Sequence, residues 1–465
     1  MRVSLVFVIG TLVLASPARA DHTSLHVTAS GNVATTDNLF AAGGDGDRQA
    51  DAYLTVRPGL LYAYDAPRMI HEFTAEAEAT EYLVHSDEPS LSGRGSWKAL
   101  LLPGPRSQLN MSIDAGTGVL TSLSSRTSSD QTSAMVVPGG KVDVQQAGVS
   151  ESLSWISSEH TRVSQGVSGH YSATDDGTGS QTDTREVAGN LGFERIFRSD
   201  TFVLDAAVSY LRLERIVPVT AMVMMGGGTD RQINPRATVA WHHDIDQRWS
   251  TSADVGLAFV NPLGKDKSNP DAPRNTKTFT VFGAGLAYTE LWGQAALAAR
   301  RNVVSNAFLA ENTITEDVSL QAAMPLPWLD DTKRNPKLSG AGSVGVLRTQ
   351  LINSDTGSTK GDIKAAHLDL SVGWTPKPNE TFGVRYELVY QASGETEITG
   401  MPGMTTTTPS FYRNTLSFTF SWRYPDRIAG EVPKRNKGVR SDGQDLAPGG
   451  AEPVVPDVFD RSHGD

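Results

Sequence analysis

The sequence predicts an all-β fold, a transmembrane up-and-down antiparallel β-barrel of about 18 strands (16–18) that occupies residues 21–424. Three observations support this prediction. Apolar and polar residues alternate with a period of two in one segment after another. No run after Ala20 approaches the length of an apolar membrane-spanning helix, which needs about 18 residues. The connections between the candidate strands fall into two classes, short turns and long polar loops.

The composition excludes several kinds of site. The chain has 465 residues, a formal net charge of −11, 38 % hydrophobic residues and no cysteine. A chain without cysteine has no disulfide framework, no Cys-ligated metal, no thiol nucleophile and no lipoprotein anchor. The acidic balance argues against nucleic acid as a partner, because no basic stripe is available to contact phosphates. We expect no cofactor.

The first 20 residues are expected to be a secretory signal peptide. Arg2 provides a short positive region, an apolar stretch runs from Val3 to Leu14, and Ala18-Arg19-Ala20 matches a cleavage site. About 12 apolar residues are too few to span roughly 30 Å of hydrocarbon. Residues 1–20 are therefore predicted to be removed on export.

The alternation is clearest in the segment that ends at Tyr424. Leu416, Phe418, Phe420 and Trp422 share one face, and the residues between them are mostly serine, threonine and arginine. Comparable segments predict strands that start near residues 24, 52, 69, 94, 107, 143, 161, 183, 200, 231, 249, 276, 292, 312, 338, 362, 380 and 411.

The lengths of the connections distinguish this pattern from a soluble β-sandwich. Most joins after even-numbered strands are turn-like, as at Asp65–Arg68 and Pro376–Asn379. Joins after odd-numbered strands are long and polar, as at Thr36–Asp51 and Thr121–Gly140, and only Pro325–Lys337 is too long for the pattern. Short turns at one end and long loops at the other are typical of Gram-negative outer-membrane barrels. We therefore expect the chain to lie in the cell outer membrane, in contact with its lipid and lipopolysaccharide.

Residues 425–465 interrupt the pattern. They are rich in proline, glycine and charge and almost lack aromatic residues, so they cannot bury enough apolar surface to order themselves. With an even strand number this segment lies in the periplasm with the N-terminus. It is predicted to be a disordered periplasmic tail, and docking to periplasmic polysaccharide-export proteins is its alternative role.

Charged residues within the predicted strands are the candidates for the lining of a channel. A charge on the lipid face of a barrel costs up to about 2–4 kcal/mol, so the alternation assigns these side chains to the inner face. The candidates are Arg57, Glu72, Glu76, Glu78, Asp114, Arg162, Glu186, Glu194, Asp205, Arg236, Asp254, Asp369, Arg385, Glu387 and Arg423. Charges of both signs on facing walls would constrict the lumen, although they can also simply neutralise one another. A barrel of about 18 strands leaves an aqueous channel unless loops fill it.

Three other groups of residues have the composition of a catalytic or metal-binding site but lack most of its other requirements. Gly166–His170 does not have the spacing of a nucleophile elbow. His242 and His243 are adjacent on a predicted strand, so they point to opposite faces and cannot share one metal ion. A glycine-rich loop supplies weak candidates for Ca²⁺ binding, which are Asp45, Asp47 and Asp51. We therefore predict that the protein is not an enzyme.

Over residues 24–424 this architecture resembles two groups of bacterial outer-membrane β-barrels. One is the general porins, which have 16–18 strands and charged constrictions. The other is the barrel components of exopolysaccharide export, including the alginate-export type and the barrels that accompany Wzx/Wzy-type machinery in myxobacteria. Two features depart from these groups. About 40 residues follow Tyr424, where porin-like barrels end on an aromatic residue, and the lumen is mixed to acidic where the alginate-type pore is basic.

The resemblance implies an integral outer-membrane channel that translocates a surface polysaccharide. The alternatives are a passive porin for small hydrophilic solutes and a structural or adhesive barrel with a plugged lumen. No plug-sized domain precedes the first predicted strand, which argues against a TonB-dependent transporter.

Overall fold

The computed structural model describes most of the predicted barrel. The described ranges are 22–39, 49–85, 89–119, 143–175, 181–216, 228–263, 276–290, 292–306, 311–326, 338–352, 359–377, 379–392, 394–397, 405–408 and 410–424. The predicted signal peptide, the predicted tail at 425–465, and the candidates Asp45 and Asp47 lie outside the described residues, so these assignments stay predictions.

The described residues form eighteen long strands and one short hairpin. The first nine strands, β1 to β9, are His22–Thr36, Asp51–Ala66, Met69–Tyr82, Ser90–Gly104, Ser107–Val119, Asp143–Ser158, Thr161–Asp175, Gln181–Ile196 and Asp200–Ile216. The next eight, β10 to β17, are Gly228–Asp244, Trp249–Pro262, Lys277–Glu290, Gly293–Asn306, Glu311–Pro325, Leu338–Ile352, Thr359–Lys377 and Glu380–Ala392. The hairpin is β18 (Gly394–Glu397) with β19 (Thr405–Thr408), and the last long strand is β20 (Phe411–Tyr424).

The eighteen long strands close into one barrel. Each strand from β1 to β16 pairs antiparallel with the next, β17 pairs with β20, and β20 pairs with β1. At the closing seam Val27 faces Tyr424 and Thr36 faces Thr415. Closure leaves no unpaired sheet edge, which a strand in lipid requires. The predicted all-β barrel of 18 strands is therefore confirmed. Within the described ranges, no helix has the length and apolarity needed to cross a membrane.

The connections are sorted between the two ends of the barrel. At the end that we name the short-turn end, two residues separate Ala66 from Met69. The slightly longer turn between β10 and β11 is held by Asp246, whose carboxylate accepts hydrogen bonds from the backbone N–H of Arg248 (2.7 Å) and Trp249 (2.8 Å). These bonds favour the ionised form and lower the pKa of Asp246. The opposite end carries most of the long connections and is named the long-loop end, whereas the long connection between Pro325 of β14 and Leu338 of β15 belongs to the short-turn end.

One face of every long strand carries exposed apolar side chains. Val344, Val346, Leu370 and Phe418 are each about half exposed, on strands whose alternate residues are polar or small. An apolar outer face with a polar inner face is the arrangement of a barrel in lipid. This outer face forms a belt around the barrel.

Aromatic residues bound the belt at the short-turn end. Trp155, Trp241, Trp249, Trp292 and Trp374 lie within a few residues of a short turn, and Trp422 lies at the same end of the barrel, across from Glu380. Trp241 stacks on His243 and donates its indole N–H to Asp200 Oδ1 at 2.9 Å. A ring with an apolar body and a hydrogen-bonding edge is suited to the boundary between lipid and water.

Charged residues bound the belt at the long-loop end. They form two outward clusters, Asp183, Arg185, Arg212, Glu214 and Arg231 on β8–β10, and Arg301, Glu316, Arg348, Asp362 and Lys364 on β13–β16. Arg348 connects the second cluster, because it contacts Glu316 at 3.3 Å and Asp362 at 3.0 Å. Each cluster has three basic and two acidic side chains.

Candidate functional site

The candidate functional site is the inner face of the barrel. Each of the charged candidates from Arg57 to Arg423 lies on the side of its strand opposite to the exposed apolar side chains. Arg385, for example, lies between Val384 and Tyr386, which belong to the apolar outer face.

Ion pairs join the inner faces of β2, β3 and β4. Arg57 Nε donates to Glu78 Oε2, and both side chains are largely buried, with 13 % and 11 % of their surface exposed. Arg94 Nη2 lies 2.8 Å from Glu76 Oε2. Glu72 lies directly across from Lys98, which makes it the third acid on β3 with a basic group nearby.

A second network crosses β16, β17 and β20. Arg385 donates to Asp369 on the neighbouring strand and lies 3.6 Å from Glu387 Oε2. Glu387 Oε1 is in turn 3.7 Å from Arg413 Nη2. Two acids and two bases thus alternate along the wall, and their charges cancel locally.

The other candidates also have polar neighbours. Arg236 on β10 interacts electrostatically with Asp254 and Asp205, on the strands to either side. Asp205 also accepts a hydrogen bond from the Asn190 side chain. Two further pairs lie across β7 and β8, where Arg162 is 3.2 Å from Glu194 and Glu186 faces His170. Arg423 lies opposite Thr28 near the short-turn end.

Glycines let two of these carboxylates lie flat against the wall. Gly148 lies across from Asp114, and a Cβ at Gly148 would stand 2.5 Å from Asp114 Oδ1. Gly283 likewise lies across from Asp254, and a Cβ at Gly283 would stand 2.2 Å from Asp254 Oδ1. A side chain larger than glycine would push these carboxylates away from the wall, so the glycines hold them out of the centre of the lumen.

Sequence reasoning missed several charged residues on the same face. They include Arg94, Lys98, Arg300, Asp317 and Arg413. The alternation within their own strands could have identified them, because each has the same parity as the inward candidates. Four of the five are basic, so they reduce the acidic excess that the sequence suggested for the lumen.

The lumen is narrowed at the long-loop end. Asn312 Nδ2 on β14 donates to Gln232 Oε1 on β10, although three strands separate β10 from β14. Every residue from Asn312 to Thr315 is buried, on both faces of the strand. A strand of a simple cylinder would expose one face, so the long-loop end of β14 leans over the mouth towards β10.

The two adjacent histidines and the weak Ca²⁺ candidate Asp51 all make hydrogen bonds to neighbouring residues. His242 contacts Asp244 at 3.2 Å, whereas His243 contacts Asp200 at 2.9 Å on the opposite face, as their adjacency requires. The Asp51 carboxylate accepts hydrogen bonds from the backbone N–H of Ala52 and Val84 and from both the backbone and the ring of His85. Within the described ranges, no group of three or more metal-ligating side chains is present.

Comparison with known proteins yields structural likenesses at low identity. No protein-family model and no curated protein matches the chain. The structure is similar to that of copper transporter OprC, with 10 % identity, a TM-score of 0.43 and coverage of 88 % of this chain and 81 % of that one. It is also similar to the FrpB iron transporter from Neisseria meningitidis, with 7 % identity, a TM-score of 0.44 and coverage of 86 % and 81 %. The outer membrane protein opdK from Pseudomonas aeruginosa gives 9 % identity, a TM-score of 0.43 and coverage of 86 % and 99 %. Similarity at this level says nothing about what passes through the barrel.

Proposed function

We propose that the protein is an outer-membrane channel that lets hydrophilic solutes cross the bilayer. The observation that carries this proposal is the contrast between the two faces of the closed 18-stranded sheet, apolar outside and charged inside. Water inside the barrel would solvate the inward charges, and lipid would cover the belt. This role uses no catalytic group.

The two ends of the belt support an orientation in the outer membrane. We propose that the long-loop end faces the cell exterior, where the outward arginines of both clusters would meet the phosphate groups of lipopolysaccharide. Arginine binds phosphate through paired N–H donors. The tryptophans would then lie at the periplasmic boundary, where phospholipids form the inner leaflet.

Single-channel recording of the refolded protein in planar bilayers tests the channel. We expect steady ohmic conductance, reduced below that of an unobstructed 18-stranded cylinder by the leaning end of β14. Bilayers exposed to an equally treated sample of heat-denatured protein serve as the control. A folded barrel that inserts but carries no current would contradict a channel and favour a structural or adhesive role.

For the cargo we propose a surface polysaccharide, which hydroxyl groups on the inner face would suit. Thr74 and Ser96 are hydrogen-bonded at 2.6 Å, and Ser112 and Ser150 at 2.7 Å. Hydroxyls both donate and accept, so such pairs can exchange hydrogen bonds with passing sugars. We expect a deletion strain to lose stainable surface polysaccharide and to regain it on complementation. A deletion strain with normal polysaccharide but slower uptake of small solutes would favour the passive porin.

A further inference from the structure

One acidic side chain lies in the middle of the lipid-facing belt. Glu151 on β6 is exposed, and it has the same parity as Val149, Leu153 and Trp155, which face outward. It lies four residues from Trp155 at the aromatic boundary, which is about 10 Å along the membrane normal for a strand tilted near 40°. Glu151 is therefore well inside an apolar belt of about 25 Å.

The immediate neighbours of Glu151 on this face are apolar. Met111 on β5 and Val167 on β7 are its cross-strand partners. A carboxyl group among such side chains is unfavourable in hydrocarbon whether it is ionised or protonated, unless a hydrogen-bonding group reaches it. Among the described residues none is hydrogen-bonded to Glu151, and its exposed carboxyl group is open to a group from a second molecule.

The same patch contains an amide that complements the carboxyl group. Gln165 on β7 is exposed, and the register places it one diagonal step from Glu151, since Leu153 faces Gln165 and Glu151 faces Val167. Among the described side chains of β5–β8 that face outward at this depth, Glu151 is the one acid and Gln165 is the one amide. A Gln amide donates hydrogen bonds that a carboxyl oxygen accepts.

We propose that this patch on β5–β8 binds a second copy of the same chain. Under a two-fold rotation about an axis through the patch, Glu151 of each copy meets Gln165 of the other, which makes the surface complementary to itself. Gly169 and Gly189 face outward beside the pair, and a Cβ at Gly189 would meet only a backbone oxygen at 3.8 Å. Small residues of this kind let two surfaces approach closely in a membrane. The pairing of two copies does not depend on the proposed channel function, so the two proposals can be tested separately.

Cross-linking through a single introduced cysteine tests the interface, because the natural chain has no cysteine. Val167→Cys places a thiol at the centre of the patch without changing Glu151 or Gln165. In native outer membranes treated with a short bismaleimide, we expect a product of twice the chain mass. Leu297→Cys on β13 is the matched control, since Leu297 is also an exposed residue of the belt, and we expect it to stay monomeric.

A second variant tests the role of the carboxyl group. Hydrocarbon accepts leucine, so Glu151→Leu in the Val167→Cys background is expected to fold and to lose most of the cross-linked product. Retention of barrel structure is checked by heat-modifiable electrophoretic migration. Cross-linking that persists in this variant would overturn recognition through Glu151. Absence of a product from Val167→Cys itself, or a product with a different protein, would overturn the pairing of two copies.

Discussion

A Leu297→Arg variant is expected to lose about 2–4 kcal/mol of folding free energy in a lipid bilayer. Leu297 is 46 % exposed on the outer face of β13, four residues from the short-turn end of that strand. Its cross-strand partners are Leu286 and Leu320, so an arginine there would lie among aliphatic side chains and lipid. The loss is measured as the shift in the guanidinium unfolding transition of protein folded into phosphatidylcholine vesicles.

The adjacent residue provides the control for this prediction. Ala298 follows Leu297 on the same strand and faces inward, across from Gly285 and Ser319. An arginine at Ala298 would reach water in the lumen, so we expect Ala298→Arg to change the folding free energy by less than about 1 kcal/mol. Equal losses for the two variants would contradict the assignment of inner and outer faces, because only that assignment separates two neighbouring residues.

The strand order and the two faces were predictable because the barrel repeats one local rule. Each strand alternates apolar and polar residues, and each connection is either short or long. The bounds of one strand are therefore predicted from its own residues, and a mistake in one strand does not change the prediction for the next. The predicted starts therefore differ from those of the structure by at most four residues, the largest difference being at β4, which begins at Ser90.

The positions of charged groups relative to one another were less predictable. Alternation assigns Arg385 and Asp369 to the inner face but does not state that they touch, because contact depends on the register between β16 and β17. The same holds for the space that Asp254 occupies against the wall, which requires Gly283 directly opposite on β12.

Features that depend on distant parts of the chain were not predictable from local patterns. The contact between Asn312 and Gln232 joins residues 80 positions apart on strands that are not neighbours. Glu151 was missed for another reason. Its polarity breaks the alternation, and without the register on both sides a single exception cannot be told from a shifted strand.

The network at Asp369, Arg385, Glu387 and Arg413 makes the ion selectivity of the lumen sensitive to single substitutions. Its four charges cancel, so Arg385→Gln leaves a local charge of −1 and Glu387→Gln leaves +1. An ion that passes about 7 Å from one uncompensated charge in water gains or loses about 0.6 kcal/mol, before screening by salt. The cation gains this energy where the anion loses it, so the two ions differ by about 1.2 kcal/mol, which screening at about 0.1 M salt reduces by roughly half. We therefore expect the cation-to-anion permeability ratio to rise roughly twofold to threefold in Arg385→Gln and to fall by a similar factor in Glu387→Gln.

Reversal potentials across a planar bilayer with a tenfold salt gradient measure this pair of variants. The two shifts should have opposite signs relative to the unmodified protein and should shrink as total salt rises, because screening shortens the reach of each charge. Glu387→Gln keeps the size of the side chain, whereas Arg385→Gln shortens it, but a change in pore width alone would alter conductance without giving shifts of opposite sign. Shifts in the same direction, or none in either variant, would mean that ions do not pass this stretch of the wall.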